Sequence, residues 1–477
     1  MSKILRGRFG SDPSMLLLLV SVMIQAQSSK VKIFDSLPLV PVSFKLAVSP
    51  SHVLVSAWEL RMGSASLTVQ SARDVILQHC QRIAGKQTVE GVALLESFQR
   101  VLAEPVSLDC DQPPFARSMR DGFALRTEDV QSIPVVLRCI GEVRAGEMAE
   151  SALRSGETIH IMTGAPVPEG ANAVVMVENT DRPSASLVQV LKPVKEGENI
   201  AAKGSERRAG DNVLRPGRRI SAFEAAVLAS AGKAEVMVYR RPVVAILATG
   251  DELVAVEAVP TAGQIRNSNS FSLYAQVLKS CGIPLILDTA KDNLPDLRRQ
   301  IQRGLESDVL LVSGGVSMGK YDVVEPVFEE LGVRVHFESV SMRPGKPTVF
   351  ATWQDRWVFG LPGNPLSTFV AFELFVKPVL SALQGLPAAN LPVVRGLLQA
   401  DVVERSGRSA FLPARVSSGS GTLEISPVNW KGSADVFGAV ESNGLLIVPA
   451  QADRLSRGEV VEALLFEDLA YANEVRL

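Results

Sequence analysis

The chain has 477 residues, 46% of them hydrophobic, and 49 Lys and Arg stand against 51 Asp and Glu for a net charge of −2. That length implies several hydrophobic cores, with three or four domains as the natural expectation, and the charge balance argues against nucleic-acid binding by bulk electrostatics. Cys80, Cys110, Cys139 and Cys281 form no C-x-x-C pair and the four histidines are scattered, so reduced core thiols in a reducing, cytoplasmic compartment are expected, and His-based catalysis or metal ligation has little to start from.

Lys3, Arg6 and Arg8 precede the apolar run Met15 to Ile24, which has the form of a signal peptide. The run is too short to span a bilayer as a helix, and no membrane association is expected. Gln25 to Met62 carries no A-x-A cleavage site and no readable periodicity. Two readings compete: an export signal, or translated sequence upstream of a start near Met62. The second is preferred because ordered patterning begins only after that methionine, and residues 1–64 are placed outside the fold.

Ser71 with Asp74 reads as a helix start, and Ala72, Val75, Ile76, Cys80 and Ile83 follow at helical spacing until Gly85. A second helix is predicted from Gly91 to Ala103, with Leu94, Leu95, Phe98 and Leu102 on one face and Pro105 closing it. From Pro105 to Gly204, short β-prone runs such as Val135 to Ile140 and Ala173 to Val177 alternate with proline and glycine turns. Ser221 then opens a helix. Ser221 and Glu224 fit a capping box, and Glu224 is divided between that cap and a metal-binding role.

Strands and helices alternate clearly from Pro242. Strands are predicted at Val243 to Gly250, Ile283 to Asp288, Asp308 to Val312 and Val333 to Phe337, with a hairpin at Thr348 to Phe359. Helices are predicted at Ser270 to Leu278, Leu294 to Gly304, Val323 to Leu331 and Pro365 to Leu383. Such alternation implies a mostly parallel sheet covered on both faces, with ligands at the carboxyl ends of its strands. The expected fold is therefore multidomain α/β plus β. A central α/β sandwich covers 241–388, a β-rich module 105–205, a discontinuous linker and dimer module 65–104 with 206–240, and a C-terminal β domain 389–477.

The polar clusters fall at the strand ends. Asp308 to Asp322, DVLLVSGGVSMGKYD, is an apolar run that stops in a glycine pair, where small residues let amide N–H groups converge on an anion. Gly314, Gly319 and Lys320 match the P-loop spacing, but Tyr321 stands where Mg²⁺ binding needs Ser or Thr, which argues against a P-loop ATPase. Asp251 and Glu252 follow the first strand and Asp292 the second, so a hard divalent cation bridging carboxylates to phosphate is favoured over acids that only cap helices. Arg343 and Lys346 flank a proline-stiffened turn, and Ser313, Ser317 and Asn364 add neutral donors. The expected ligand is a polyanion carrying phosphate or pyrophosphate.

SGGVSMGKYD, TGDEL, RPGKP, LPGNP and MTGAPVPEG, with SMRDGFA upstream, together resemble the molybdopterin molybdotransferases, including the E domain of gephyrin, from about Ser66 to the C-terminus. The resemblance implies an elongated homodimer with a molybdopterin-binding α/β core. It also implies that adenylylated molybdopterin is cleaved with Mg²⁺ or another divalent cation while molybdate enters the dithiolene. By position, it makes Asp251, Asp292 and Lys346 catalytic, with Asp251 and Asp292 on the metal. Thr249, Gly250, Gly314, Gly315, Ser317, Asp322, Arg343, Pro344 and Asn364 bind substrate. Asp121, Thr163 and Glu206 reach the same cleft, in one arrangement from the partner subunit, and the upstream adenylyltransferase is a candidate partner.

Two segments depart from the family pattern. R-G-E-D becomes Lys203, Gly204, Ser205 and Glu206, and D-N-S-A-M becomes Ala116, Arg117, Ser118, Met119 and Arg120. An adenylyltransferase acting one step earlier, or an idle scaffold of the same fold, are the rival functions.

Overall fold

In the computed structural model the described residues are 66–315, 324–388, 391–419, 421–467 and 469. The signal-peptide and alternative-start readings, and the candidate ligands Ser317 and Asp322, lie outside them.

The first helix, α1 (Val69–Ile83), is capped by Thr68, whose hydroxyl oxygen accepts from Ser71 N at 3.1 Å, so the cap lies three residues before the Ser71 start read from sequence. The helix predicted over Gly91 to Ala103 does not form. Its residues make strand β1 (Val89–Ala93) and a single 3₁₀ turn, Leu94–Glu96. The apolar spacing there does not correspond to a buried face: Leu95 is 94% exposed and Phe98 59%. The backbone partners lie more than 140 residues downstream, which no local pattern records.

The β-rich module is a six-stranded sheet. Its strands are β2 (Gly122–Leu125), β3 (Val135–Val143), β4 (Glu157–Ile161), β5 (Ala173–Met176), β6 (Thr180–Ser184) and β7 (Leu187–Val190), in the order β5-β2-β4-β3-β7-β6. Helix α2 (Ala222–Ser230) follows. Strand β8 (Glu235–Tyr239) then pairs antiparallel with β1, and Leu102, Val106, Ile220, Leu228 and Val236 are buried together beside them.

The α/β unit comprises β9 (Val243–Ala248), α3 (Asn269–Lys279), β10 (Ile283–Ile286), α4 (Leu294–Gly304), β11 (Val309–Ser313), α5 (Val324–Glu330), β12 (Arg334–Phe337), β13 (Val349–Trp353) and β14 (Arg356–Leu361). Its sheet order is β10-β9-β11-β14-β13-β12. The first four strands are parallel, and only β13 runs against the rest, antiparallel to both β14 and β12. Strand β9 reads as an unbroken apolar run because both of its faces are covered. Val244 and Ile246 pack with α1, α3 and Phe350, whereas Ala245 and Leu247 pack with Leu297 and Ile301 of α4 and Phe328 of α5. Helix α1 thus belongs to the core of the α/β sheet, although the chain leaves it for 160 residues before the first strand.

Pro365–Leu383 is long and apolar enough to cross a membrane, but 78% of it is buried in the same core. It runs as α6 (Pro365–Ala371), a π turn at Phe372–Val376, and α7 (Lys377–Leu383). The C-terminal strands β15 (Val393–Leu398), β16 (Ser409–Ser418), β17 (Leu423–Pro427), β18 (Gly444–Val448) and β19 (Val460–Leu465) close into a barrel. Met342–Arg343 adds to β16 from the α/β side.

His79 of α1 and His336 of β12 lie with ring centroids 4.3 Å apart against Phe350. Burial, then the charges of His79, Arg334 and Arg82, push the His336 imidazole down to about 4. Its neutral form is the one the fold stabilises, so stability is intact above the ordinary 6.5 and is lost as pH falls from there toward 4. His336→Gln is expected to flatten that fall in the urea midpoint. An unchanged slope would assign the proton uptake to another group.

Candidate functional site

Strands β9, β11 and β14 are hydrogen-bonded neighbours whose ends are level: Ala248 pairs with Ser313, and Ser313 with Leu361. The segments leaving them therefore emerge side by side at the carboxyl edge of the sheet. They enclose a cavity of about 250 Å³. Its walls are Thr249, Gly250 and Glu252 from the first, Ser313, Gly314 and Gly315 from the second, and Pro362, Gly363 and Pro365 from the third. Asp292, Pro347 and the segment Ile265 to Asn269 complete it.

The glycines are needed for backbone geometry. Gly314 has φ 93° and Gly315 φ 64°, in the left-handed region that side chains disfavour. A Cβ on Gly314 would lie 2.5 Å from the Thr249 carbonyl oxygen. The backbone is laced on either side, Thr249 N donating to Ser313 O at 3.0 Å and Gly314 N to Leu361 O at 3.1 Å. Two helices also start at the cavity, α3 at Asn269 and α6 at Pro365, and helix amino ends favour anions.

The acids are on the same rim. Asp292 Oδ1 accepts from the Thr249 hydroxyl at 2.8 Å, and Asp292 N donates to Asp251 Oδ1 at 3.3 Å. Asp292 and Glu252 line the cavity directly, while Asp251, exposed and bonded to Asp292 N, does not. Among the described residues no group of three His, Cys, Asp or Glu side chains is preassembled to hold a metal.

The remaining predicted ligands are distributed more widely. Arg343 Nη1 donates to both oxygens of the buried Glu404, at 3.0 and 2.9 Å, so this guanidinium is fastened to the barrel. Pro344 is buried in the same turn, Lys346 is exposed, and Pro347 reaches the cavity. Asn364 lies beside the cavity-lining Gly363 and donates to Ser433 Oγ at 2.9 Å.

None of Asp121, Thr163 and Glu206 lines the cavity. Asp121 accepts from Thr163 N at 2.7 Å and from its hydroxyl at 2.9 Å, and these bonds hold the carboxyl below its ordinary range. Glu206 pairs with Arg117 at 2.9 Å, which joins the two segments that depart from the family pattern. Glu224, a metal candidate by sequence, does not line the cavity; it completes the capping box of α2. One oxygen accepts from Ser221 N and the Ser221 hydroxyl and the other from Arg218 Nε, bonds that hold its carboxyl at about 2. Sequence reading missed Arg266, Asn267, Ser268 and Asn269; their only signal was a dense run of short polar side chains before a helix.

Three family models match in order: "MoeA N-terminal region (domain I and II)" over residues 67–232, "Probable molybdopterin binding domain" over 245–382, and "MoeA C-terminal region (domain IV)" over 395–466. The chain belongs to the MoeA family of molybdopterin molybdenumtransferases. A relative of that name from Bacillus subtilis is 35% identical over 387 residues, covering 80% of this chain and 90% of its own. Another from Staphylococcus epidermidis is 32% identical over 421 residues, covering 86% and 100%. Among solved structures, a molybdopterin biosynthesis MoeA protein from Pyrococcus horikoshii superposes with a TM-score of 0.72 at 30% identity, over 84% of this chain and all of its own. The cavity of this MoeA-family chain is built from the segment, 245–382, that matches the "Probable molybdopterin binding domain" model.

Gly314→Ala is expected to cost about 1–3 kcal/mol, because it forces a side chain into both a left-handed backbone and the Thr249 carbonyl. Urea denaturation measures this, and a loss under a few tenths would mean that the two strand ends are free to part.

Proposed function

We propose that the chain binds adenylylated molybdopterin with its pyrophosphate in the strand-end cavity, inserts molybdenum from molybdate into the dithiolene, and releases AMP. The observation that carries this reading is the level ending of β9, β11 and β14. It sets a glycine loop, two helix amino ends and two wall carboxylates around a single cavity. The names of the relatives support a molybdenum-transferring role.

The donor set fits a divalent cation of a particular kind. Asp292 and Glu252 on the wall, with Asp251 bonded to Asp292 N, are too few for a closed protein cage, but Mg²⁺ commonly takes one or two carboxylates plus substrate phosphates. Mg²⁺ held there would neutralise charge on the pyrophosphate oxygens. The chain's own contribution is positioning. The Gly314 and Gly315 segment cradles the anion, Thr249 holds Asp292 in place, and Glu404 fixes the direction of Arg343 beside the turn whose Pro347 reaches the cavity.

A homodimer is part of this proposal. The Asp121–Thr163 pair and the Glu206–Arg117 pair do not line the cavity of their own chain, and a second copy could present them to it. The upstream adenylyltransferase is the expected supplier of substrate, and the scattered thiols support a reducing, cytoplasmic setting.

Purified protein given adenylylated molybdopterin should release AMP only when molybdate is present, and chelation of divalent cations should suppress that release. Asp292→Asn should lower turnover by on the order of 10² while the fold survives, in keeping with the loss of one preorganised electrostatic contact. Consumption of ATP with pyrophosphate release, in place of molybdate-dependent AMP release, would make the protein an adenylyltransferase and overturn this reading.

A further inference from the structure

Asn269, the first residue of α3, is 9% exposed and lines the cavity wall. Its amide nitrogen reaches across three separate segments. Nδ2 donates to Ser313 Oγ at 2.9 Å, to Gly363 O at 2.8 Å, and more weakly to Thr368 Oγ1 at 3.4 Å. Ser313 ends β11 immediately before the glycine pair, Gly363 lies in the loop after β14, and Thr368 is in α6. Because these partners present acceptor oxygens, the orientation of the amide is fixed, and Oδ1 is left without a partner among the described residues.

We infer that Asn269 is a positioning residue that holds the anion loop against the loop after β14, and so sets the width of the cavity between them. The strand ladder fixes the two strand ends only as far as Gly314, whose N–H bonds to Leu361 O. Beyond that bond, among the described residues, no backbone hydrogen bond joins Gly315 to Gly363, and the Asn269 amide spans the gap from the side. A second consequence concerns Ser313. Its oxygen accepts from Nδ2, so its own hydroxyl hydrogen remains available to a ligand oxygen in the cavity that Ser313 lines. Nearby polar side chains are braced within their own segments: Thr368 Oγ1 bonds Asn364 O at 3.2 Å, and Asn267 Nδ2 bonds Ser270 Oγ at 2.9 Å.

This inference rests on the reading of the cavity as a pyrophosphate site, and inorganic pyrophosphate tests the two separately. Binding is measured by calorimetry on the full-length wild-type protein and on Asn269→Ala, with the melting temperature of each recorded. The expected result is a loss of roughly tenfold or more in pyrophosphate affinity, the size of one to two lost hydrogen bonds, in a variant that remains folded. With adenylylated molybdopterin as substrate, KM should rise by more than kcat falls, a split that lower stability alone does not produce. Asn269→Asp, which keeps the shape but replaces the donors with acceptors and adds a negative charge, should lose at least as much affinity, whereas Asn269→Gln should restore part of it because it keeps the donor without a charge. Unchanged affinity in folded variants would overturn the positioning role while leaving the cavity's function standing. Failure of both Asn269→Ala and Asn269→Asp to fold would also overturn it, by making the amide a folding brace. Absence of pyrophosphate binding by the wild-type protein would overturn the reading of the cavity and this role with it.

Discussion

The contact on which the site depends is the approach of the backbone at Gly314 to the carbonyl of Thr249, so close that a Cβ there would sit 2.5 Å from the oxygen. Parallel strands normally diverge into separate loops once their ladder ends. Here the ladder continues one residue further on each side, through Thr249 N to Ser313 O and Gly314 N to Leu361 O. Only a residue without a side chain permits this, and Gly314 and Gly315 also supply the left-handed backbone that turns the chain back across the strand ends. The cavity is what lies beyond that turn.

Everything else that borders the cavity is held from a distance. The RPGKP turn is tied outward to the barrel: Met342–Arg343 joins β16, and Glu404 grips Arg343. Asn364 is bonded to Ser433, which lies before β18. The C-terminal barrel therefore acts on the site through its loops, although none of its strands lines the cavity. Helix α1 supports the sheet itself, since it packs against β9 and Phe350 in the core from which the level strand ends project.

Much of the α/β unit was legible because its physics is local. A strand covered on both faces must be apolar throughout, as β9 and β11 are, and Leu294 to Gly304 was read to the residue because Asn293 caps it, Pro295 starts it and its apolar stripe has a single period. The region from Gly91 to Ala103 was misread for the complementary reason. Its apolar residues fit a helical period, but the segment is shaped by pairing with Glu235–Tyr239. The site divided along the same line. Acids and glycines at strand ends were readable from position, whereas Asn269 was not, since its importance lies in partners 44 and 94 residues away.

From the sequence by itself came the residue types suited to a polyanion, their order along the chain and the family pattern they compose. Those properties follow from side-chain chemistry and from periodicities that are complete within a few turns or strands. Only the tertiary structure decided which of them meet. It brought Thr249, Asp292, Gly314 and Gly315 to one cavity, turned Glu224 into a helix cap, set Arg117 against Glu206, and gave Arg343 to Glu404. The reason is that a charged side chain takes the nearest partner that replaces its lost water, and which partner is nearest is a property of the packed chain, not of its neighbours in sequence.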